Sequence, residues 1–374
     1  MQRPIKPEYI KKIVIKVGTR LLTYKTGKLN LGIIETLVRQ IADLKNQGKD
    51  VVLVSSGAVG AGMGKLGLKK KPVSIQEKQA VAAIGQGLLI QFYEKLFSEY
   101  GHIVAQVLLT REDLDNRKRY INSRNTLLHL LKFGAIPIIN ENDTISTEEI
   151  EFGDNDRLSA LVATLIDADI LLILTDIDGL YTANPRHNPD AYCVSFIEEI
   201  TPEIKKYASN TDETLAKGGM ITKIEAAEIA MASGIDMVIA NGRQENIIRR
   251  ILEGEEFGTF FSAKRDHLRS RKQWIAFAQK SKGVIYIDQG AETALTGEGK
   301  SLLPAGVINF KGSFSKGEMV SICNTRGEEI ARGLVNYSTE ELQRIAGCKS
   351  DEIESILGYM DHEELIHRDN LVLC

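Results

Sequence analysis

Three short glycine-containing segments, two of them with lysine, are of a kind that suits an anion: Lys16-Val17-Gly18-Thr19, Ser55-Ser56-Gly57-Ala58 and Lys217-Gly218-Gly219-Met220-Ile221-Thr222-Lys223. Each reads as the end of a strand that feeds a helix. Small residues there let the backbone approach phosphate oxygens, and the helix N-terminus aims a partial positive charge at them. Singly, each is also an ordinary turn, the usual reading of glycine after a strand. Lys16 is less ordinary, because it interrupts an apolar strand at its C-terminal end, where open α/β sheets bind ligands. Buried there without a partner it would be costly. Acidic and amide residues gather in Asn140-Glu141-Asn142-Asp143 and Gly153-Asp154-Asn155-Asp156. A helix N-cap explains part of the second segment, but two carboxylates flanking an asparagine exceed what one cap requires. The set could hold a metal–phosphate complex, orient lysines or bind an amino group. Thr175-Asp176-Ile177-Asp178-Gly179-Leu180-Tyr181 closes another apolar run and could line a nucleotide pocket, although turn chemistry alone accounts for Asp178-Gly179.

The elements that must position these residues follow from periodicity. As far as residue 261, short β-branched runs alternate with stretches of helical period, the pattern of parallel strands joined by crossover helices. Strands are expected at Ile13–Val17, Val51–Val54, Ile103–Leu108, Ala135–Ile139, Ile170–Leu174 and Met237–Ala240. Asn30 is placed to cap a helix carrying Ile33, Ile34, Leu37, Ile41 and Leu44, with Gly48 as its stop. The Ser74-x-x-Glu77 spacing is a capping box for a long helix reaching Gly101. From Ser262 the sequence runs SAKRDHLRSRKQ, basic and without apolar period, and reads as a linker. Beyond it, short strands such as Val284–Ile287 and Met319–Cys323, Gly-rich turns and a short acidic helical segment suggest a small β-rich module.

Three motif matches lack the required context. Gly62-Met63-Gly64-Lys65-Leu66-Gly67 has dinucleotide-site spacing, but lies eight residues beyond the expected strand end and leads into a lysine-rich loop. Gly299-Lys300-Ser301 lacks the upstream glycine of a phosphate loop and is followed by Pro304. His362 and His367, five apart, would point to different faces of a helix.

With 374 residues, 43% hydrophobic, the chain predicts two domains rather than one. A net charge of −3 gives no long-range attraction to nucleic acid or anionic lipid. No apolar run approaches the roughly 20 residues of a membrane span, and the N-terminus lacks a signal peptide's apolar stretch, so a soluble cytoplasmic protein is expected. Cys193, Cys323, Cys348 and Cys374 are scattered, with neither disulfide nor zinc spacing.

Taken in order, IKVGT, VSSGAVGAG, INENDT, FGDNDRLSA, LTDIDGLYTANPR and KGGMITK closely resemble the amino acid kinase family over residues 10–261. The stretch KGVIYIDQGAETAL…GKSLLPAGVINFKGSFSKGEMV…ARGLVNYS resembles a PUA domain. The resemblance implies a three-layer αβα kinase domain with a mostly parallel central sheet over 1–261, a linker over 262–274 and a β-rich PUA domain over 275–374. It further implies transfer of the ATP γ-phosphoryl group to the γ-carboxylate of L-glutamate, with Mg²⁺, as the first step of proline synthesis. Carried onto matching positions, Lys16 and Lys223 grip the transferring phosphate, supported by the amides of Gly18, Gly57 and Gly219. Asp156 orients these lysines; Asp154 shares that task or belongs to the magnesium and substrate region. No metal ligands are assigned. Ser56, Asn140, Asp143 and Asn155 match the glutamate site, with Asp143 suited by charge to the α-ammonium group. Thr175, Asp176 and the run Lys217, Gly218, Gly219, Met220, Ile221, Thr222, Lys223 match the ATP site, along with Lys16 and Gly18. Lys217 and Ile221 depart from the small polar residue and the serine common at those positions in relatives.

Such kinases are commonly inhibited by proline, for which the loop from Asp143 to Gly153, with Glu149, is the candidate region; a merely solvated loop is the alternative. A homo-oligomer, dimer or tetramer, and a partnership with glutamyl phosphate reductase are also implied. Competing readings are a kinase of uridylate, acetylglutamate or aspartate, or an RNA-binding protein acting through the PUA domain. Against the latter, residues 281–374 carry nine Lys and Arg and fifteen Asp and Glu, a net of −6.

Overall fold

The computed structural model describes residues 5, 7–24, 26–145, 155–185, 187–209, 219–263, 281–297, 299–360 and 362–373. The chain divides into two units, Met1–Arg265 and Asp266–Cys374. The expected linker, 262–274, lies outside the described residues except for its first two.

The first unit begins with β1 (Lys12–Val17), α1 (Thr19–Leu22), α2 (Leu31–Asn46), β2 (Asp50–Ser55), α3 (Ala58–Leu66) and α4 (Ile75–Ser98). Next come β3 (Val104–Leu109), α5 (Arg111–Asp115), α6 (Arg117–Lys132), β4 (Ile136–Glu141), α7 (Asn155–Ile166) and β5 (Ile170–Thr175). It ends with β6 (Phe196–Ile197), α8 (Pro202–Ser209), α9 (Met220–Ala232), β7 (Asp236–Asn241), α10 (Ile247–Leu252) and β8 (Thr259–Phe261). The eight strands form one sheet in the order β3-β4-β2-β1-β5-β7-β8-β6. Pairing is parallel throughout, except that β7 and β8 run antiparallel.

Each strand expected from the sequence is present, with its ends within two residues of those expected. Asn30 caps α2 by accepting from Ile33 N–H, and Gly48, at φ +79°, allows the turn that ends it. Ser74 and Glu77 form the capping box of α4, which stops at Ser98 rather than Gly101. The glycine-spaced motif at 62–67 is mostly helix, not loop: α3 starts directly after Gly57 and ends at Gly67, which has φ +67°.

Alternation along the buried strands builds two cores, one on each face of the sheet. Ile13 and Ile15 of β1 join residues of α2, α4 and α10 on one face. Val14 turns to the other, among Leu158 and Val162 of α7 and Ala226 and Ala230 of α9. The first unit is therefore a three-layer αβα fold. Lys16 continues the Val14 register, which directs it toward the N-terminus of α7.

The second unit has a five-stranded sheet ordered β10-β9-β11-β12-β13. Its elements are β9 (Gly283–Ile287), α11 (Gln289–Thr296), β10 (Val307–Gly312), β11 (Met319–Cys323), β12 (Glu329–Leu334), α12 (Thr339–Ile345), α13 (Ile353–Leu357) and β13 (Leu371–Leu373). All its strand pairs are antiparallel except β9 with β11. Its core, with Ile285, Ile322, Tyr337 and Leu365, is separate from the other two. Among the described residues, no helix is long and apolar enough to cross a membrane.

Candidate active site

Register places the chemistry at one edge of the sheet. Val17 of β1 pairs with Ser55 of β2 and Leu174 of β5, so the C-terminal ends of the three central strands are level. Asn140 follows Ile139, the partner of Val54, and lies beside Ser55. This is the side on which parallel sheets bind ligands.

Asp156, fully buried in the first turn of α7, is the hub. Its Oδ1 lies 2.6 Å from Lys16 Nζ and its Oδ2 3.1 Å from Lys223 Nζ. Both lysines are 4% exposed. Thr222 Oγ1 is 3.0 Å from Asp156 Oδ2 and 2.8 Å from the Gly219 carbonyl oxygen, so its single hydrogen serves one of them at a time. Burying an ammonium group without a counter-ion is prohibitive, and Asp156 supplies one to both. Residues 16, 156 and 223, far apart in sequence, thus form one rigid cationic clamp.

A second cluster adjoins it. Asn155 Nδ2 lies 3.1 Å from the Ser55 carbonyl oxygen, 2.9 Å from Ser56 Oγ and 2.8 Å from Asn140 Oδ1, so its two hydrogens are shared among three acceptors. Asn140 Oδ1 also accepts the Glu141 N–H at 2.9 Å, while Asn140 Nδ2 donates to Gln86 Oε1 at 2.8 Å. Tyr93 OH and Ser55 Oγ lie 3.0 Å apart. Burial pushes the Tyr93 phenol up to about 12, so it stays neutral over the physiological range.

These bonds tie together the N-termini of α3, α7 and α9. Gly57, preceding α3, adopts φ +99°, a conformation natural to glycine, and so turns the chain straight from β2 into the helix. Three helix N-termini converging where two lysines lie buried make an environment suited to an anion.

The remaining residues expected at the site fall as follows. The Gly18 N–H donates to the Leu174 carbonyl at 3.2 Å, so this amide is committed to the backbone rather than turned toward a phosphate. Met220 buries its side chain in the core beneath α9, whereas Ile221 is half exposed. Thr175 is buried at the end of β5, with Oγ1 3.3 Å from Asp176 Oδ1, and Arg20 approaches Asp176 at 3.6 Å. Asp143 is half-buried in the turn after β4. Glu149, Asp154, Lys217 and Gly218 lie outside the described residues. Among the described residues, no three His, Cys, Asp or Glu side chains cluster to hold a metal. With Asp156 engaged by two lysines, these residues do not form a cage for Mg²⁺.

The sequence gives little sign that Gln86 and Tyr93 belong to the site, or that the Ser55 side chain does. Gln86 borders the apolar stripe Val81, Ala82, Gly85 and Leu89 of α4, and Tyr93 continues that stripe with a hydroxyl that requires a partner once buried. That hydroxyl was the one available signal.

The profile of the amino acid kinase family matches residues 11–241, and that of the PUA domain residues 283–357. The chain is 55% identical to the glutamate 5-kinase of Caldanaerobacter subterraneus subsp. tengcongensis over 362 residues, 97% of each chain. It is likewise 55% identical to that of Moorella thermoacetica over 363 residues, 97% of this chain and 96% of the other. The solved UMP kinase of Bacillus anthracis aligns at 17% identity with a TM-score of 0.47, over 69% of this chain and 97% of that one. The chain belongs to the amino acid kinase family, its likeness over nearly its whole length being to glutamate 5-kinases, and it carries a PUA domain after the kinase domain.

Proposed function

We propose that this kinase transfers the γ-phosphoryl group of ATP to the γ-carboxylate of L-glutamate, giving γ-glutamyl phosphate and ADP. The observation that carries the reading is the pair of buried lysines held on Asp156 beside the Asn155–Asn140–Ser56 cluster. The names of the full-length relatives support the choice of glutamate. The substrate carboxylate, with an ordinary pKa of about 4.3, is already ionised at neutral pH and needs no general base. One of its oxygens attacks the γ-phosphorus, and the bond to the β,γ-bridging oxygen breaks. The difficulty is repulsion between two anions. Lys16 and Lys223 offset it by gripping the transferring phosphoryl group, with the Gly57 and Gly219 backbone at the adjacent helix N-termini and Asp156 holding both ammonium groups in place. Asp154 either shares the orienting role or serves the magnesium and substrate region.

Ser56, Asn140, Asp143 and Asn155 hold glutamate in this reading, and Thr175, Asp176 and residues 217–223 hold ATP. Mg²⁺ would accompany the nucleotide and offset the negative charge of its phosphates. The reading extends to proline synthesis, feedback inhibition by proline through the 143–153 loop with Glu149, a cytoplasmic homo-oligomer, and hand-over of the labile product to glutamyl phosphate reductase. It divides the chain into a kinase domain (1–261), a linker (262–274) and a PUA domain (275–374).

The test is hydroxamate and ADP formation from MgATP with L-glutamate, D-glutamate, L-aspartate, N-acetylglutamate or uridylate, with hydroxylamine present for the carboxylic acids. Hydroxamate should form with L-glutamate alone, and Lys223→Ala should lower kcat by at least about 100-fold, the scale of losing one transition-state cation or donor. ADP formation driven by another acid would reassign the substrate, and no transfer to any of them would sink the reading. L-Proline added to the same assay should inhibit; its failure to do so would remove the feedback element.

A further inference from the structure

Two hydrogen bonds with fixed direction determine which way the amides of the acid-binding cluster point. The Glu141 backbone N–H can only donate, so the atom it meets on Asn140 is the oxygen. The Ser55 carbonyl can only accept, so the atom facing it from Asn155 is the nitrogen. With Asn140 Oδ1 accepting from both Glu141 and Asn155, its Nδ2 must turn toward α4, where it meets Gln86. Gln86 is thereby obliged to present its oxygen. Asn140 is 3% exposed, so an amide hydrogen left without an acceptor there would carry the full cost of desolvation.

We propose that Gln86 is a positioning residue for the acid substrate. By accepting one Asn140 Nδ2 hydrogen, it holds the carboxamide plane so that the other hydrogen is presented to the substrate. The inference rests on the proposal that this cluster holds the acid. The support is stiff: α4 is 24 residues long, and its Gly85 packs so closely on α3 that a Cβ there would lie 1.7 Å from the Ala58 carbonyl oxygen. Gln86 and Tyr93, two turns apart, bring α4 against both Asn140 and Ser55, so one helix orients two sides of the cluster.

The test compares the full-length chain with Gln86→Met, Asn140→Ala and the double variant. Gln86→Met should raise the KM for glutamate about tenfold, or about 1.4 kcal/mol, with the KM for ATP and kcat within about twofold and the thermal midpoint lowered by the loss of the Asn140 acceptor. In the Asn140→Ala background the same change should add less than about twofold, since the partner through which it acts is gone. Equal effects on both KM values, an unchanged glutamate KM, or full additivity with Asn140→Ala would overturn the inference. If the wild-type chain uses a different acid, the same split measured on that acid sustains the inference while the glutamate assignment falls. If it phosphorylates none, both fall.

Discussion

Tyr93 illustrates how much one buried hydroxyl can constrain. Ser55 Oγ donates to the Ser56 carbonyl at 3.3 Å, which leaves Tyr93 OH as the donor to Ser55. The phenol, raised by burial to about 12, must stay neutral for that bond to persist. A folded-state pKa above the ordinary tyrosine value means that the associated stability is fully present below about pH 10 and is lost as pH rises from there through about 12. Wild type should therefore exceed Tyr93→Phe in stability by about 1 kcal/mol at pH 9, from the hydrogen bond. By pH 11 the linkage removes about 1.4 kcal/mol and cancels or reverses that advantage. Denaturant midpoints of the two proteins at both pH values measure this; a difference independent of pH would refute it.

At the scale of elements, the seating of α3 against α4 depends on glycine at places where no other side chain fits. A Cβ on Gly62 would lie 2.0 Å from the Val81 carbonyl oxygen, and one on Gly64 2.5 Å from that of Gly27. These obstacles are backbone and do not yield as a flexible side chain would. Gly62 and Gly64 of the dinucleotide-like motif are thus packing glycines, and the close approach that Gly62 and Gly85 permit sets the distance between α3 and α4. Gly85→Ala should cost more than about 3 kcal/mol, above the usual range for overpacking because the clash is with main chain. Gly87, on the same helix but with nothing within 4 Å of where a Cβ would stand, is the control. Gly87→Ala should stabilise by about 0.5–1 kcal/mol through helix propensity alone. Thermal denaturation of the pair checks both signs, and equal effects would refute the packing argument.

For the whole molecule, the separation of cores matters most. The kinase fold closes its two cores around its own sheet, and the C-terminal unit closes a third around another. Each has the apolar interior that a domain needs to fold by itself. Every described residue of the candidate site lies in the first unit. A chain ending at residue 265 should therefore remain folded and retain measurable phosphoryl transfer, with assembly or inhibition altered. A soluble, folded fragment with no transfer at all would show that the C-terminal unit completes the site. The net charge of −6 on 281–374 gives that unit little attraction for nucleic acid phosphates.

Local and periodic features were legible in the amino-acid order alone. β-Branched runs, capping residues and stop glycines are enough to foretell β1 to β5, β7, α2 and α4, because these signals act over a few neighbouring residues. Lys16 stood out for a similar reason, as a charge in an apolar strand. Short elements such as β6 and β8 escape the sequence reading, since two or three residues carry no period. Which groups meet is a property of the assembled fold. Sheet order places β4, β2, β1 and β5 side by side although they are not consecutive in the chain, and that order delivers Asn140, Ser55, Lys16 and Thr175 to one edge. The union of Lys16 and Lys223 on one carboxylate, the commitment of the Gly18 amide to Leu174 and the reach of Gln86 from a neighbouring helix all depend on distances of a few ångströms between segments remote in sequence. Hydrogen-bond direction then follows from which backbone groups those segments present, and no residue type announces that in advance.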